Sequence, residues 1–548
     1  MSFIKQHILK FTPLSPVHIG ADETYEPGNY VIDDESGALY GFDNQAAING
    51  LNESDTKHLL NIVNDKPNDE MLTKVQGFFH SHREKLIGVA RSPVPTAKGI
   101  ATLYQKRIGQ TAQHESRNRR VINKLEIERT MYNPANNQPL FPGSSIKGAI
   151  RTALLDKENN GKKPYARIKN QKFQSDILQG SFHTDPFRLI SISDAHWQSD
   201  HSLPTSQIQF AVNRKREPVM KDGVLIQSQA EKSNLYQLLE CIPAIGGQLL
   251  QGTIQIQDVS QIKQDDNKLP KQVNQWDIKD IAQACNAFYY DLFQKELYQL
   301  KQRGYVQQGW LDKIEQLLAQ GLFKRMDEGE VFLLRVGRHS GAEALTLNGV
   351  RSIKIMQGRG NKPAWEDKPK TWWLAANEIS EKTNMLPFGW VLVEIDPKNN
   401  ESMLAEIQNN NTELAQWYQQ QQQKQKELRE KANARQALII AKQQQEMLEQ
   451  QQRAAQEAIE QQRIANLSPF EQDLEAFLKP IQQQEHDTRL LQALKDDRWQ
   501  GEDAKKVAEM VKQLMQQANK WMTEFSGSNK KKIKLKERSL QVQSYLDT

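Results

Sequence analysis

The sequence predicts an α+β protein in which two sheet-containing halves flank a helical segment, followed by a Gln-rich helical extension. Three observations carry that expectation. Short apolar runs alternate with polar residues, most clearly in Thr253-Ile254-Gln255-Ile256-Gln257. Between 274 and 326 the spacing becomes helical, with Ile278, Ile281, Ala282 and Cys285 at i, i+3, i+4 and i+7. After about Pro397 the composition turns polar, with consecutive glutamines at 419–423. Strands, helices and strands in that order suit an α+β chain better than a regular parallel array. At roughly 100–200 residues per domain, 548 residues suggest about three or four units.

The first half, 1–262, opens with a strand through Ile4, His7 and Leu9 that ends at Pro13. Tyr30-Val31-Ile32 and Leu39-Tyr40-Gly41-Phe42, on either side of an Asp/Ser/Gly turn, predict a hairpin. Leu59, Leu60, Ile62, Val63, Val75, Phe78 and Phe79 make 44–90 helical. Residues 90–140 are polar, basic and poorly periodic, which predicts a long loop or mobile insertion, with the basic part at about 90–130. From Phe187 to Ile256 the alternation of Ile190, Ile192, Ile208, Phe210 and Val212 predicts strands. A helical segment covers 263–330, and strands return in 331–400 at Val331–Val336 and Trp390–Ile395. In 401–548, Leu428, Ile439, Leu448 and Ile459 keep no seven-residue repeat, which leaves a coiled coil open against a solvated helix or disorder. Leu474, Phe477, Leu478 and Ile481 form one apolar stripe; Val507, Met510, Val511, Leu514, Met515 and Ala518, extended by Trp521 and Phe525, form another. The simplest partner for each stripe is the other, in a small bundle with a basic tail at Lys530–Lys532, Lys534 and Lys536.

Composition removes several classes. A hydrophobic fraction of 38% is low, yet 18 Phe, 13 Tyr and 10 Trp suffice for a core. No run of about 18 apolar residues exists, so no membrane span is expected. Met1 to Gly20 lacks the apolar core and cleavage site of a signal peptide. Two cysteines, Cys241 and Cys285, exclude a disulfide scaffold and a four-cysteine zinc site, and fit a reducing cytoplasm. The net charge of +5 is small but uneven: Arg83 to Arg151 holds thirteen Lys/Arg against four Asp/Glu. Such a field attracts polyanions.

One segment stands out for chemistry: Pro142-Gly143-Ser144-Ser145-Ile146-Lys147-Gly148-Ala149-Ile150-Arg151. Pro-Gly makes a turn and the serines open a helix. Free amides at its start, with Lys147 and Arg151 close by, suit a phosphate oxygen. The spacing is not that of a Walker loop. A second candidate, Leu334-Arg335-Val336-Gly337-Arg338-His339-Ser340-Gly341, mixes glycines and cations after a strand, which suits close approach of a sugar–phosphate chain. A third is Arg214 and Arg216 at a basic strand end.

These motifs resemble a known family. Phe11-Thr12-Pro13-Leu14-Ser15-Pro16-Val17-His18-Ile19-Gly20, followed by Tyr30-Val31-Ile32, is similar to the start of RAMP-superfamily CRISPR proteins. The 142–151 segment resembles their internal motif. Residues 334–341 and Leu386-Pro387-Phe388-Gly389-Trp390-Val391 resemble their C-terminal glycine-rich loop and last strand. The combination is most similar to the fifth-subunit family of type III-A (Csm) effector complexes, over about residues 1–400. The resemblance implies two ferredoxin-like (RRM-like) halves, CRISPR RNA as ligand, a place near its 3′ end in the backbone filament, and a role in its maturation. It implies a neighbouring RAMP backbone subunit, a small subunit, target RNA and a host nuclease as partners, in antiviral defence. RNA-contacting residues would be Gly143, Ser144, Ser145, Lys147, Arg335, Gly337, Arg338 and Gly341, joined by Arg151, Arg214, Arg216 and His18 from the residue reading.

No catalytic constellation is expected. Some RAMP relatives cut RNA with a histidine near the N-terminus, and type III backbone subunits use a loop aspartate with a divalent metal. Here His18 lies in a Pro-flanked turn without an evident partner. Asp22 and Glu23 read as loop acids, and His183, His196 and His201 lack cysteine companions for zinc. The expected function is a non-catalytic RNA-binding subunit without cofactor or metal; the alternative is a RAMP-type endoribonuclease acting on precursor CRISPR RNA.

Overall fold

A computed structural model describes residues 3–547 except 27, 67, 110–112, 116–118, 122–124, 165–167, 199–201, 245, 247–248, 261, 263–268, 271–275, 358–359 and 399–410. The chain divides into two compact units, Met1–Gln436 and Ala437–Thr548.

Two antiparallel-rich sheets organise the first unit. One runs in the order His196–Trp197, Leu250–Gln257, Ile4–Pro13, Trp390–Ile395, Val331–Arg335, with Ile190–Ile192 also on Leu250–Gln257. The other runs Thr371–Ala376, Gln207–Lys215, Tyr236–Cys241, Ile127–Thr130, Gly20–Tyr25. The predicted strands are present, but both sheets take strands from before residue 262 and after 331. The two halves are therefore interleaved rather than consecutive.

The inward residues explain the register of the first sheet. Leu9 pairs with Gly252 and Ile395, and Phe11 with Leu250 and Val393. Ile254 and Ile256 are buried while their polar neighbours point outward, as the alternation predicts. Against this face pack the helices Gly143–Asn159 and Ile278–Arg303, with Ile150, Leu154, Ile281, Cys285, Phe288 and Phe293 in one core. Each such side chain removed from water stabilises by roughly 1.5–3 kcal/mol. The second helix is opened by reciprocal Asp277–Asp280 capping and closed by Gly304 at φ 63°.

The 90–140 region departs from the expected loop. It holds a helix, Lys98–Arg107, a hairpin of Gln113–Glu115 with Arg119–Val121, and the strand Ile127–Thr130; parts of it lie outside the described residues. Ile100, Tyr104, Leu125 and Ile127 are buried against the second sheet. Four apolar anchors spread over short elements leave no period to read, and tertiary burial decides.

A smaller sheet, Tyr30–Ile32, Ala38–Gly41 and Val94–Pro95, includes the predicted hairpin. Its cluster adds Phe78, Phe79, Leu86 and Ile87 from the helices Asp69–Ser81 and Arg83–Ile87. The Gln-rich segment is a helix, Thr412–Ala465. Its first turns are docked on this cluster rather than solvated. Gln425 Nε2 donates to the carbonyls of Ile87 (3.2 Å), Ala90 (3.1 Å) and Arg91 (2.7 Å), and Arg429 to those of Gly88 (3.3 Å) and Ala90 (3.0 Å). These carbonyls follow a helix end and need outside donors. Trp417 Nε1 donates to Ser36 O at 3.1 Å, and Lys424 pairs with Asp33 at 3.2 Å.

In the second unit the helices Pro469–Leu478, His486–Lys495, Gly501–Gln517 and Lys530–Asp547 share one core. Leu490, Leu494, Val507, Val511, Met515 and Val542 are buried, with Leu474, Phe477, Leu478 and Trp521 packed against them. Leu438 and Ile459 on the long helix are 72% and 67% exposed. Among the described residues no helix is long and apolar enough to cross a membrane.

Candidate nucleic-acid interface

The two glycine-containing motifs are joined by a run of backbone hydrogen bonds that ends on the Asp194 side chain. Arg338 N donates to His18 O at 2.8 Å, and Met131 N to Ile19 O at 2.6 Å. Leu140 N donates to Met131 O at 3.0 Å, and Phe141 and Ala195 bond each other at 3.0 and 2.8 Å. Gly143 N then donates to Asp194 Oδ1 at 2.7 Å. Residues 337–338, 18–19, 131, 140–143 and 194–195 thus form a single seam. Glycine is required at both ends. A Cβ on Gly337, at φ 83°, would meet His18 O at 2.3 Å; one on Gly143 would meet Ile192 O at 2.3 Å. Gly341, at φ 82°, has more room, with Arg335 Nη1 at 3.8 Å.

Most of the sequence-selected cations face inward, which corrects the expectation of a row of free phosphate ligands. Arg335 is 5% exposed and holds Glu296 at 2.9 Å, whose other oxygen accepts from Trp390 Nε1 at 2.7 Å. Arg214 is buried and donates to the carbonyls of Ile379 (2.9 Å) and Glu381 (2.6 Å). Arg216 forms two bonds to Glu343, at 2.9 and 2.6 Å, over the Trp372 ring. Arg151 forms two bonds to Asp185, at 3.2 and 2.8 Å, over Phe187. Lys147 Nζ donates to Ile190 O at 2.6 Å, and burial lowers its pKa. A guanidinium or ammonium withdrawn from water must find carboxylates or carbonyls, and each of these has done so. Asp194 likewise occupies the first amide of the 143–159 helix, where an anion is favoured. Ser144 stays exposed and Ser145 half-buried at that helix start.

Arg338 is the exception. It is 39% exposed and pairs with Glu128 on the rim of a groove of about 790 Å³. Arg107 and Arg129 also line this groove, with Asp22, Glu23 and Glu126 as counter-charges. The sequence reading passed over Arg129, although it follows the inward Ile127 at period two and Tyr132 comes three residues on. Its guanidinium lies between the rings of Tyr25 (4.7 Å) and Tyr132 (3.7 Å) and pairs with Glu23 at 3.3 Å.

His18 is fully buried. Its Nδ1 bonds Glu240 O at 2.7 Å, Nε2 has no partner, and burial lowers its pKa. His339 bonds Gln237 Oε1 at 2.8 Å and stacks on Trp373 at 4.9 Å. His80 and His82 have separate acidic neighbours, Asp34 at 3.4 Å and Asp55 at 3.3 Å. His201 lies outside the described residues. Among the described residues no group of three or more His, Cys, Asp or Glu could hold a metal ion.

The model of the RAMP superfamily matches residues 10–338, more than half of the chain. The chain belongs to the RAMP superfamily. The match takes in the whole seam from His18 to Arg338 and leaves the Thr412–Ala465 helix and the second unit outside it. Among solved structures, this RAMP protein is similar to a chain of the cryo-EM Csm–crRNA–target RNA ternary complex of a type III-A CRISPR-Cas system. That likeness has 16% identity, covers 71% of this chain and 100% of the other, and gives a TM-score of 0.43. Csm5 of T. onnurineus is similar at 15% identity, with 70% and 99% covered and a TM-score of 0.38. No curated protein matches the chain.

Proposed function

We propose that this RAMP protein is a non-catalytic CRISPR-RNA-binding backbone subunit of a type III-A effector complex. In this reading it sits on the 3′-end side of the filament, supports maturation of the guide, and contacts a neighbouring RAMP backbone subunit, the small subunit and target RNA. One observation carries the reading: the helix-start turn at 142–145 and the glycine turn at 337–341 share one hydrogen-bonded seam, next to a groove that Arg338, Arg107 and Arg129 line. A cation-lined groove beside two backbone turns grips ribose-phosphate without reading its sequence. Binding is then salt-sensitive, and each lost phosphate contact flattens the slope of log K against log salt by roughly 0.7–0.9.

The test is guide RNA content in complexes purified from co-expressing cells. Ser144→Glu with Arg338→Glu is expected to deplete the guide; unchanged RNA overturns the reading. A second reading, an endoribonuclease acting on precursor RNA, requires the unpartnered Nε2 of His18, buried in this structure, to reach the RNA. Purified protein incubated with labelled precursor, with and without Mg²⁺, separates the two. Site-specific cleavage lost in His18→Ala supports the nuclease, and intact precursor supports the binding subunit.

A further inference from the structure

Beside the seam lies a polar hollow that shares Arg129 and Glu23 with the groove above. Arg91, Tyr25 and Arg129 line two adjacent cavities, one of about 260 Å³ and one of about 250 Å³. Together they reach the lower end of the roughly 300–1,000 Å³ range of small-ligand sites. The charges inside are mostly balanced. Glu23 accepts from Arg129 at 3.3 Å and from the Tyr132 hydroxyl at 2.7 Å. Glu240, fully buried, accepts from Ser206 at 3.0 Å, Thr130 N at 3.3 Å and the Tyr25 hydroxyl at 3.4 Å. Arg129 Nε, on a side chain 5% exposed, is buried without a hydrogen-bond partner.

Arg91 is different. Its backbone is fixed: the amide donates to Gly41 O at 2.8 Å, and the carbonyl accepts from Gln425 at 2.7 Å. Its guanidinium lines both cavities and makes no ion pair or side-chain hydrogen bond among the described residues. Asp43, which also lines the first cavity, accepts from the Ala46 amide at 2.7 Å. A positioned guanidinium not held in an ion pair is an anion receptor, and its planar fork matches phosphate. The second cavity also holds Arg129 and Glu240, which pair with each other at 3.6 Å; its remaining polar lining is neutral, with the amides of Asn137 and Gln422, the hydroxyl of Thr205, and the rings of Tyr25 and Tyr418. Amides and hydroxyls read the edge of a base, and aromatic faces stack on it. A bare inorganic anion needs none of these.

We infer that this hollow binds one nucleoside phosphate, with the phosphate on Arg91 and the base among Tyr25, Asn137 and Thr205. The ligand has two sources, a free mononucleotide or the phosphorylated end of an RNA strand. Only the second rests on the RNA-binding reading.

The full-length protein, stripped of nucleic acid in high salt, is titrated with the ribonucleoside 5′-monophosphates, with inorganic phosphate, and with short oligouridylates ending in phosphate or hydroxyl. Saturable binding of a mononucleotide, at least tenfold tighter than inorganic phosphate, identifies the free ligand. Binding confined to phosphate-ended strands identifies the strand end. In either case Arg91→Ala weakens binding at least tenfold. Ser92→Trp, at an exposed lining position, blocks the cavity while the melting temperature is kept. No saturable binding, equal binding of inorganic phosphate, or affinity unchanged in both variants overturns the inference. Guide content lost in Ser144→Glu/Arg338→Glu yet kept in Arg91→Ala, with no nucleotide bound, places the failure here and not in the RNA-binding reading.

Discussion

Replacing Glu296 by Ala is the sharpest test of how the glycine turn at 337–341 is held. Glu296 and Arg335 are 6% and 5% exposed and 2.9 Å apart. Glu296 also accepts from Trp390 Nε1 at 2.7 Å, and Arg335 donates to Phe388 O at 3.1 Å. Removing the carboxylate leaves a guanidinium without its counter-ion in a site that water barely reaches. Breaking a buried pair in this way costs about 3–5 kcal/mol. Loss of the indole hydrogen bond contributes to that total rather than adding a separate term, since a shared network is not additive. Replacing both partners, as Glu296→Leu with Arg335→Met, recovers much of the loss, because apolar residues of similar volume need no ionic partner. Native-state hydrogen exchange reads the effect best, since a chain of two units need not unfold in one step. Amides of Val331–Arg335 should lose protection in Glu296→Ala and regain it in the double variant. Protection within about 1 kcal/mol of wild type in the single variant would refute the argument, for a buried unpaired charge cannot be that cheap.

Three further outcomes follow. Gly337→Ala should destabilise the first unit by at least about 1–3 kcal/mol, the range for a left-handed non-glycine residue, because its Cβ would also press on His18 O; Gly341→Ala, at a similar φ with open space, should cost less, and equal melting temperatures would contradict the difference. Gln425→Leu strips one side-chain donor from three carbonyls, at about 1–3 kcal/mol for buried groups left unsatisfied, and should speed proteolysis within 412–436. Burial, then the charges of Arg338 and His18, depresses the His339 pKa from 6.5 to about 3. The unfolded chain therefore takes up a proton that the folded one refuses, and stability falls as pH drops from about 6.5 toward 3. His339→Gln should flatten melting temperature against pH across that window, and an unaltered slope would count against burial as the cause.

The legible parts were those where one residue type repeats with one period. Ile254 and Ile256 on the first sheet, and Ile281, Ala282 and Cys285 on the 278–303 helix, are buried as their spacing requires. The Asp33–Gly37 turn between two apolar runs gave the hairpin at once. What spacing could not show was the partner of each charge. Arg335, Arg338, Arg214 and Arg216 look alike in sequence, but Glu296, Glu128, the carbonyls at 379 and 381, and Glu343 lie far along the chain, and only folding brings them to their partners. The Gln-rich run misled for a related reason. Gln425 reads as solvated, yet its amide is a donor of the right length for the carbonyls at 87–91. In the same way, Arg129 is one cation among thirteen until Tyr25 and Tyr132 close on it.

The place of Trp390–Ile395 in the first sheet, between Ile4–Pro13 and Val331–Arg335, has a consequence during synthesis. Ser15 Oγ accepts from the amide of Trp390, 375 residues later. At the usual ~5–20 residues per second, the opening strand waits on the order of 20–75 s on the ribosome before its neighbour emerges. Both edges of Ile4–Pro13 are unpaired until Leu250–Gln257 emerges, and one edge stays open until Trp390–Ile395 follows. A chaperone can shield the strand at first, and Leu250–Gln257 holds one side of it for the remainder of the interval.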